Sequence, residues 1–364
     1  MGKTITIQRS YKFRFYPTPE QIVLLTIFFG VARWVWNHAL EMRSKAWKRR
    51  KESLTGVDIS RHLTQLKKTS RYGWLKAAPS TILVQKLRDL DRAFSNFFDP
   101  KLKAKYPRFK KRTHAQSIRF QLDQRTVAGN YRAGEFLKLP KLGRLKLKWS
   151  RVPAGTPKMV TIKKDSAGRY FVSFVVEETI SVSVPPARAV GLDVGIKSLV
   201  TTSDGQSIGN TQPLKAALRS LRRAQRALSR RTKGSGRWKA QRRRVAKIHA
   251  RVRDVRQDIL HKTSSRIVRD YGYIATESLN IKGMMQNRRL ARAIGDAAWG
   301  EFIRQLQYKS QWYGREFQQI GTFVPSSKTC SCCGYKMDDM TLCVRSWVCP
   351  QCETGTPRRM PGIR

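Results

Sequence analysis

Ala189-Val-Gly-Leu-Asp193-Val-Gly195-Ile196 is the stretch on which the fold turns. Its Val, Leu and Ile residues have the composition of a buried strand, yet a carboxylate stands in their midst between two glycines. Packing alone does not choose an aspartate there, which makes Asp193 a candidate ligand for a hard divalent cation. Gly-x-Asp-x-Gly is common in turns, so its meaning comes from its surroundings. Leu199–Ser203 reads as a second strand, closed by the Asp204-Gly205 hairpin turn. Tyr273-Ile-Ala-Thr-Glu277 reads as a third, short and ending in another carboxylate. Glu277 could cap its strand or pair with an arginine, and it could equally share a metal with Asp193.

Between the two carboxylates lie two helical stretches, Leu214–Arg231 and Arg237–Asp270, broken by Gly234-Ser235-Gly236. They hold roughly twenty Lys and Arg against three Asp. Leu218, Leu221, Leu228, Val245, Ile248 and Val252 keep one side for packing. The other side, with Arg222, Arg226, Arg230, Arg242 and Arg243, is a wall of one charge that suits a phosphate backbone. A solvated face accounts for mixed charge and poorly for one sign this dense. A helix over Asp296–Trp312 and a last strand near Phe317–Val324 follow. A strand carrying Asp, a hairpin, helices and a strand ending in Glu form the start of a ribonuclease H-type fold, whose acids converge on two Mg²⁺ ions.

Composition sets the class of partner. With 364 residues, 40% of them hydrophobic, nine Trp and fifteen Phe, the chain can build two or three cores. A formal charge of +50 needs a polyanion to neutralise it, and nucleic acid is the expected one. An anionic membrane surface fits less well, because Trp34, Trp36, Tyr106 and Phe109 are dispersed among the basic residues as bases and packing require. The apolar run Ile22–Val35 is too short and too charged to be expected to span a bilayer. Nothing at the N-terminus resembles a signal peptide, so a cytoplasmic, nucleoid-associated protein of a bacterium or archaeon is expected, with no membrane partner and no oligomer implied.

In the N-terminal half, Ile5–Tyr16 alternates apolar and basic residues as a strand does, and Pro17-Thr18-Pro19-Glu20 stops it and starts a helix running to about Arg50. Ser60–Trp74 and Thr81–Phe98 continue the helical layer, with Leu83, Leu87, Leu90 and Phe94 on a core-facing stripe. Lys101–Arg112 is a basic loop carrying two aromatics, and Ser117 to about Val184 reads as strands of a small barrel. Pro185-Pro186 marks a boundary.

All six cysteines fall between Cys330 and Cys352. Cys330-Ser-Cys-Cys333 and Cys349-Pro-Gln-Cys352 are CxxC pairs fifteen residues apart, the spacing of two knuckles presenting four thiolates to a zinc ion. Cys332 and Cys343 do not fit the paired geometry. A closed four-sulfur shell leaves no position for water, so the zinc is expected to be structural.

Taken in order, these segments resemble the TnpB family, transposon-encoded RNA-guided relatives of type V CRISPR effectors. The resemblance runs from residue 11 to 352 and is carried by Tyr11-Lys-Phe-Arg-Phe-Tyr-Pro-Thr-Pro-Glu-Gln21, Trp34-Val-Trp-Asn37, Tyr106-Pro-Arg-Phe-Lys110, Gly191-Leu-Asp-Val-Gly195, Glu277-Ser-Leu-Asn280 and Ser327-Lys-Thr-Cys-Ser-Cys-Cys-Gly334. It implies an α+β multidomain protein: a wedge β-barrel (1–17 and 100–186) with a helical recognition insert (18–99), then a ribonuclease H-like RuvC domain (187–325) with basic helices 214–270. A zinc ribbon (326–354) and a tail (355–364) follow. Asp193 and Glu277 map onto the first two catalytic carboxylates. The implied partners are a guide RNA from the element's end and double-stranded target DNA with a short adjacent motif. Resemblance and charge also make Arg33, Asn37, Tyr106, Arg108 and Lys110 candidate nucleic-acid contacts.

After the second CxxC the family carries a His-Asp-Arg-Asp-x-Asn-Ala-Ala-like run that supplies the third carboxylate. Here Glu353-Thr-Gly-Thr-Pro-Arg-Arg-Met-Pro-Gly-Ile-Arg364 stands instead, without an aspartate and with two prolines opposing a helix. Glu353 adjoins a zinc ligand, and Asp338 and Asp339 lie in the knuckle spacer, so all three are poor substitutes. Weak Mg²⁺ binding, loss of cleavage and retained guided binding are expected, as in nuclease-dead TnpB-like repressors; an active Mg²⁺-dependent endonuclease is the alternative.

Overall fold

The structure is a computed structural model and describes residues 4–113, 116–321, 329–330, 332–337 and 346–357. The chain divides into two compact units, Thr6–Glu178 and Thr179–Arg364 together with the first five residues.

The first unit starts with strand β1 (Thr4–Phe15), which sends Ile7, Tyr11, Phe13 and Phe15 into the core on alternate positions. Helix α1 (Pro19–Arg50) follows, fixed at its start by a reciprocal cap in which the Gln21 N–H donates to Thr18 Oγ1 (3.2 Å) and the Thr18 N–H donates to Gln21 Oε1 (3.1 Å). Helix α2 (Gly56–Leu66) ends sooner than the sequence suggested. Its last bonds tighten to three-residue spacing (Lys68 N–H to Gln65 O, Thr69 N–H to Leu66 O), and a 3₁₀ segment, Ser70–Ala77, replaces the end of the expected helix. Helix α3 (Ser80–Phe98) buries Ile82, Leu83, Leu87 and Leu90.

Strands β2 (Gln116–Gln121), β3 (Tyr131–Arg132), β4 (Phe136–Leu139), β5 (Gly143–Arg144), β6 (Leu147–Lys148), β7 (Met159–Lys164) and β8 (Tyr170–Ser181) complete the unit, with a short helix α4 (Val127–Asn130). They pair in the orders β2-β7-β8-β1-β6 and β3-β4-β5. Among the described residues no pairing joins β2 to β6, so hydrogen bonds do not close the barrel expected from the sequence. Helices and sheets share one core, where Phe13, Tyr131, Trp149 and Phe174 pack ring against ring.

Helix α1 corrects one sequence expectation. By length and composition it is long and apolar enough to cross a membrane, since the apolar run continues past Val35 in one 32-residue helix. Its apolar side is nevertheless spent on the core: Leu25, Phe28, Val31, Val35 and Ala39 are at most 1% exposed.

The second unit is built on strands β9 (Ala189–Val194), β10 (Ser198–Thr202), β11 (Ser207–Gly209), β12 (Tyr273–Glu277) and β13 (Glu316–Ile320), in the order β11-β10-β9-β12-β13. The first three are antiparallel; β12 runs parallel to β9, and β13 parallel to β12. This is a ribonuclease H-type sheet. Its core joins Val190, Leu192, Val194 and Ile274 to residues of helices α6 (Gly236–Asp270) and α9 (Trp299–Tyr313), among them Leu260, Ile267, Phe302 and Leu306. Helix α5 (Pro213–Ser229) packs on α6, with Gln241 Nε2 donating to Ala224 O (2.8 Å) across them. Short helices α7 (Ile281–Met284) and α8 (Ala291–Ala297) precede α9.

The helix expected over Asp296–Trp312 is two helices, because Ala298 adopts left-handed angles (φ 54°, ψ 45°). Asp296 lies just before that break and is committed elsewhere: its carboxylate accepts from the Leu214 N–H (3.0 Å), the Lys215 N–H (3.1 Å) and the Arg256 guanidinium (2.8 Å), capping α5 from a distance. β13 ends at Ile320, and Val324 lies outside the described residues. Strands β14 (Ser346–Val348) and β15 (Gly355–Pro357) form an antiparallel pair in the cysteine module.

Candidate metal centres and nucleic-acid surfaces

Asp193 and Glu277 are brought together by strand register. β12 pairs with β9 one for one, Tyr273 with Ala189 through Thr276 with Leu192, and Glu277 and Asp193 are the next residues along the two strands. Alternation fixes their face: Val190, Leu192 and Ile274 point to the helices, so Asp193 and Glu277 share the opposite face. Both are partly buried. Across β10 the partner of Asp193 is Thr201, and across β13 the partner of Glu277 is Ile320. Neighbouring strands stand about 4.8 Å apart, close enough for two carboxylates to share a divalent ion. Trp299 Nε1 donates to Gly195 O (3.2 Å) and anchors the turn that follows β9.

Two other described acids of this unit are committed elsewhere. Asp296 caps α5, and Asp204, at the other end of β9, is held below the usual carboxylate range by the hydroxyls of Thr202 and Tyr271 and by Arg188. Asp338 and Asp339 lie outside the described residues.

The four paired cysteines converge as the spacing predicts. Their sulfurs lie within 4.8 Å of one another, with Cys330 and Cys352 at 3.5 Å and Cys333 and Cys349 at 3.5 Å. A tetrahedron with metal–sulfur bonds of about 2.3 Å needs sulfur separations of this size, so the site could hold zinc. The two knuckles share one backbone frame. The Gly334 N–H donates to Cys330 O (3.1 Å) as the Glu353 N–H donates to Cys349 O (2.9 Å), and Cys330 and Cys349 return bonds to Tyr335 O and Thr354 O. The Cys332 N–H donates to Cys330 Sγ (3.4 Å), which gives Cys332 a backbone role beside the site rather than a ligand's. Cys343 lies outside the described residues. As thiols, the cysteines conflict: Cys352 is drawn down by the Thr354 hydroxyl, whereas Cys333, despite the Tyr335 backbone bond, is pushed up to about 12 by desolvation and its cysteine neighbours. A cation at the centre removes that conflict.

Arg222, Arg226 and Arg230 lie exposed along α5, and Arg242 and Arg243 are exposed on the first half of α6. The core of the unit claims only the second half of α6. In the other unit, Tyr106–Lys110 is stitched to α1. Asn37 Nδ2 donates to Lys110 O (3.1 Å) and its Oδ1 accepts from the Lys110 N–H (2.7 Å), Trp36 Nε1 donates to Arg108 O (2.9 Å), and the Tyr106 hydroxyl bonds Ser44 (2.8 Å). Asn37 and Tyr106 thus have structural partners, while the Arg108 side chain is exposed. Arg33 donates to Gln116 Oε1 (3.0 Å). Sequence reading missed Asp296 as a cap and Lys86 as a buried cation; for Lys86 the signal was available, since it sits between Leu83 and Leu87 on the apolar stripe of α3.

Comparison with known proteins agrees with this geometry. A family profile described as "Probable transposase", of the IS605 OrfB type, matches residues 173–288, and one described as the Cas12f1-like TNB domain matches 299–358. A third, described as a helix-turn-helix domain, matches residues 1–52, whose described part folds instead as β1 and one long helix. A protein of Streptomyces pristinaespiralis provisionally named an RNA-guided DNA endonuclease is 42% identical over 94% of this chain and 85% of its own length. InsQ of Escherichia coli K12, with the same provisional name, is 30% identical over 94% of this chain and 87% of its own. A solved Cas12f1 complex with single-guide RNA and target DNA shares the fold, with a TM-score of 0.54 at 12% identity over 92% of both chains. Identity of this extent along nearly the whole chain, with the profiles falling in order on the RuvC-like sheet and the cysteine module, means that this chain belongs to the TnpB family of IS605-type transposon proteins.

Proposed function

We propose that this protein binds a guide RNA and, through it, a DNA target that it holds without efficient cutting, acting as a repressor by occupancy in the bacterial cytoplasm. Guided binding is supported by family membership and by the one-signed arginine surface of α5 and α6, since a backbone-tracking surface needs charge rather than base-reading groups. The strands of the first unit would serve as the wedge and α1–α3 as the recognition insert, with the adjacent DNA motif read there.

The observation that carries the absence of cutting is the use made of residues 353–357. Where the family run would begin, Glu353 closes the second knuckle and Gly355–Pro357 forms β15, so this segment belongs to the zinc hairpin rather than to a carboxylate-bearing helix. Asp193 and Glu277 are left as a pair. Divalent ions bound there would activate a water and stabilise a leaving oxygen, but two carboxylates hold two such ions weakly.

The geometry of that pair favours a second reading, an active Mg²⁺-dependent endonuclease, because Asp193 and Glu277 follow the last paired residues of neighbouring strands, on one face. Sequencing the RNA that co-purifies with the protein, and then offering matched plasmid DNA with Mg²⁺ to the complex, separates the two. Retention of the plasmid without cleavage is expected. Robust cleavage abolished by Asp193→Ala would overturn the occupancy reading, and a protein carrying no discrete RNA would overturn both.

A further inference from the structure

Helix α3 ends on three phenylalanines, Phe94, Phe97 and Phe98. The Phe98 ring lies 6.5 Å from that of Phe94 and 5.0 Å from that of Phe97, centroid to centroid. The basic loop folds back onto the same group: the Tyr106 ring meets Phe94 at 5.6 Å and Phe97 at 5.4 Å, nearly perpendicular to both. Two segments thus build one cluster of four rings. Phe94 and Phe97 are half-buried within it, whereas Phe98 is 73% exposed and Tyr106 45% exposed.

A single exposed phenylalanine needs no explanation, but these rings are held in place. The Tyr106 hydroxyl bonds Ser44 (2.8 Å), and Trp36 Nε1 grips the loop again at Arg108 O (2.9 Å). At the other end of the loop, Asp99 accepts from the Lys101 N–H through its side chain (2.9 Å) and from the Leu102 N–H through its carbonyl (3.2 Å). A ring fixed before a ligand arrives loses little entropy when one stacks on it.

The surroundings select the ligand. Lys101, Lys103, Lys105 and Arg108 are exposed on the loop, and Asp99 is the only acid between Phe98 and Arg112. A second copy of this chain would bring the same positive charge to the patch. A duplex offers phosphates but keeps its base faces stacked inside. An unpaired strand presents base faces and phosphates together.

We propose that Phe98 and Tyr106 form a stacking platform for unpaired bases of a single-stranded nucleic acid, whose phosphates meet Lys101, Lys103, Lys105 and Arg108. The proposal goes beyond guided targeting, since bases paired in a guide–target duplex have no free faces for these rings, and it takes from that reading only that the protein binds nucleic acid.

Phe98→Ala tests it, and because the ring is mostly exposed the variant should melt as wild type does. Full-length wild type, Phe98→Ala and Phe98→Trp, freed of co-purifying RNA in high salt, are titrated with an oligouridylate, an abasic strand of equal length and a duplex. Phe98→Ala should bind the oligouridylate about ten-fold more weakly, and Phe98→Trp should restore the affinity. The slope of log K against log salt should not change, because stacking releases no counterions, and affinity for the abasic strand and the duplex should stay as in wild type. Replacing Lys101, Lys103 and Lys105 together by Gln should instead make the slope shallower by about two on the oligouridylate and the abasic strand alike. An equal loss on the abasic strand, or no loss on any strand, would overturn the platform. Sedimentation of the free protein covers the remaining occupant: self-association that Phe98→Ala abolishes, with strand affinities unchanged, would assign the cluster to a second copy and overturn the proposal. Absence of discrete RNA in the purified protein would count against guided binding alone, whereas failure of the wild type to bind oligouridylate would overturn the platform.

Discussion

Glu353 and Gly334 occupy the same place in the two cysteine knuckles, and both have positive φ, 56° and 79°. Glycine adopts that conformation freely and glutamate does not, at a cost of about 1 kcal/mol. Glu353→Gly should therefore stabilise the module by about 0.5 kcal/mol after the flexibility of the unfolded glycine is allowed for, seen as a higher chelator concentration needed to release zinc. Lys309 is a second residue whose environment makes a clear prediction. Its ammonium donates to His261 O (2.8 Å), Ser264 Oγ (2.7 Å) and Ser265 Oγ (2.8 Å), and burial pushes it down to about 8 from 10.5. Between those two values the unfolded chain binds more protons than the folded one, so stability from this group rises with pH across about 8–10.5. Denaturant unfolding should show a rise of about 1–3 kcal/mol through that window, flattened in Lys309→Met. The sequence places Asp193 in an apolar strand, and the structure puts it there, partly buried in β9. Lys86 lies on the apolar stripe of α3, and helical period alone does not show that its ammonium is buried there.

Helices α5 and α6 divide their work along their length. Leu221 and Ala224 face inward on α5, and on α6 the core contacts of Leu260, Ile267 and Val268 gather beyond the midpoint. The N-terminal part of α6 has little to hold it beyond α5, and its arginines stay exposed. Replacing Arg222, Arg226 and Arg230 together by Gln should make the salt slope of nucleic-acid binding shallower by about 2–3, with zinc content and melting temperature nearly unchanged. A loss of zinc or a collapsed melt would show instead that these side chains serve the fold. Periodicity gave both helices correctly, since their apolar positions repeat at helical spacing. It ran α8 and α9 together, because the break at Ala298 is a backbone conformation and alanine gives no warning of it.

At the scale of the whole molecule, a formal charge of +50 must be carried by two cores that are otherwise ordinary in composition. Self-repulsion of this size should make the free protein less stable than its complex. Heparin at low ionic strength should raise the melting temperature, and in its absence added salt should do so in part; a melt indifferent to both would mean that the charges are already balanced internally. Charge, cysteine spacing and the order of strands, hairpin and basic helices were fixed by the sequence alone, since each is local or additive: a CxxC pair, a run of arginines and a period of two or 3.6 need no knowledge of distant residues. Tertiary structure decided the rest. Only the pairing of β12 with β9 brings Glu277 to the strand next to that of Asp193, only the folding of the basic loop onto α3 joins Tyr106 to Phe94 and Phe97, and only the second knuckle commits Glu353 to a turn. These are meetings of residues far apart in the chain, and such meetings depend on register and packing, which no local pattern encodes.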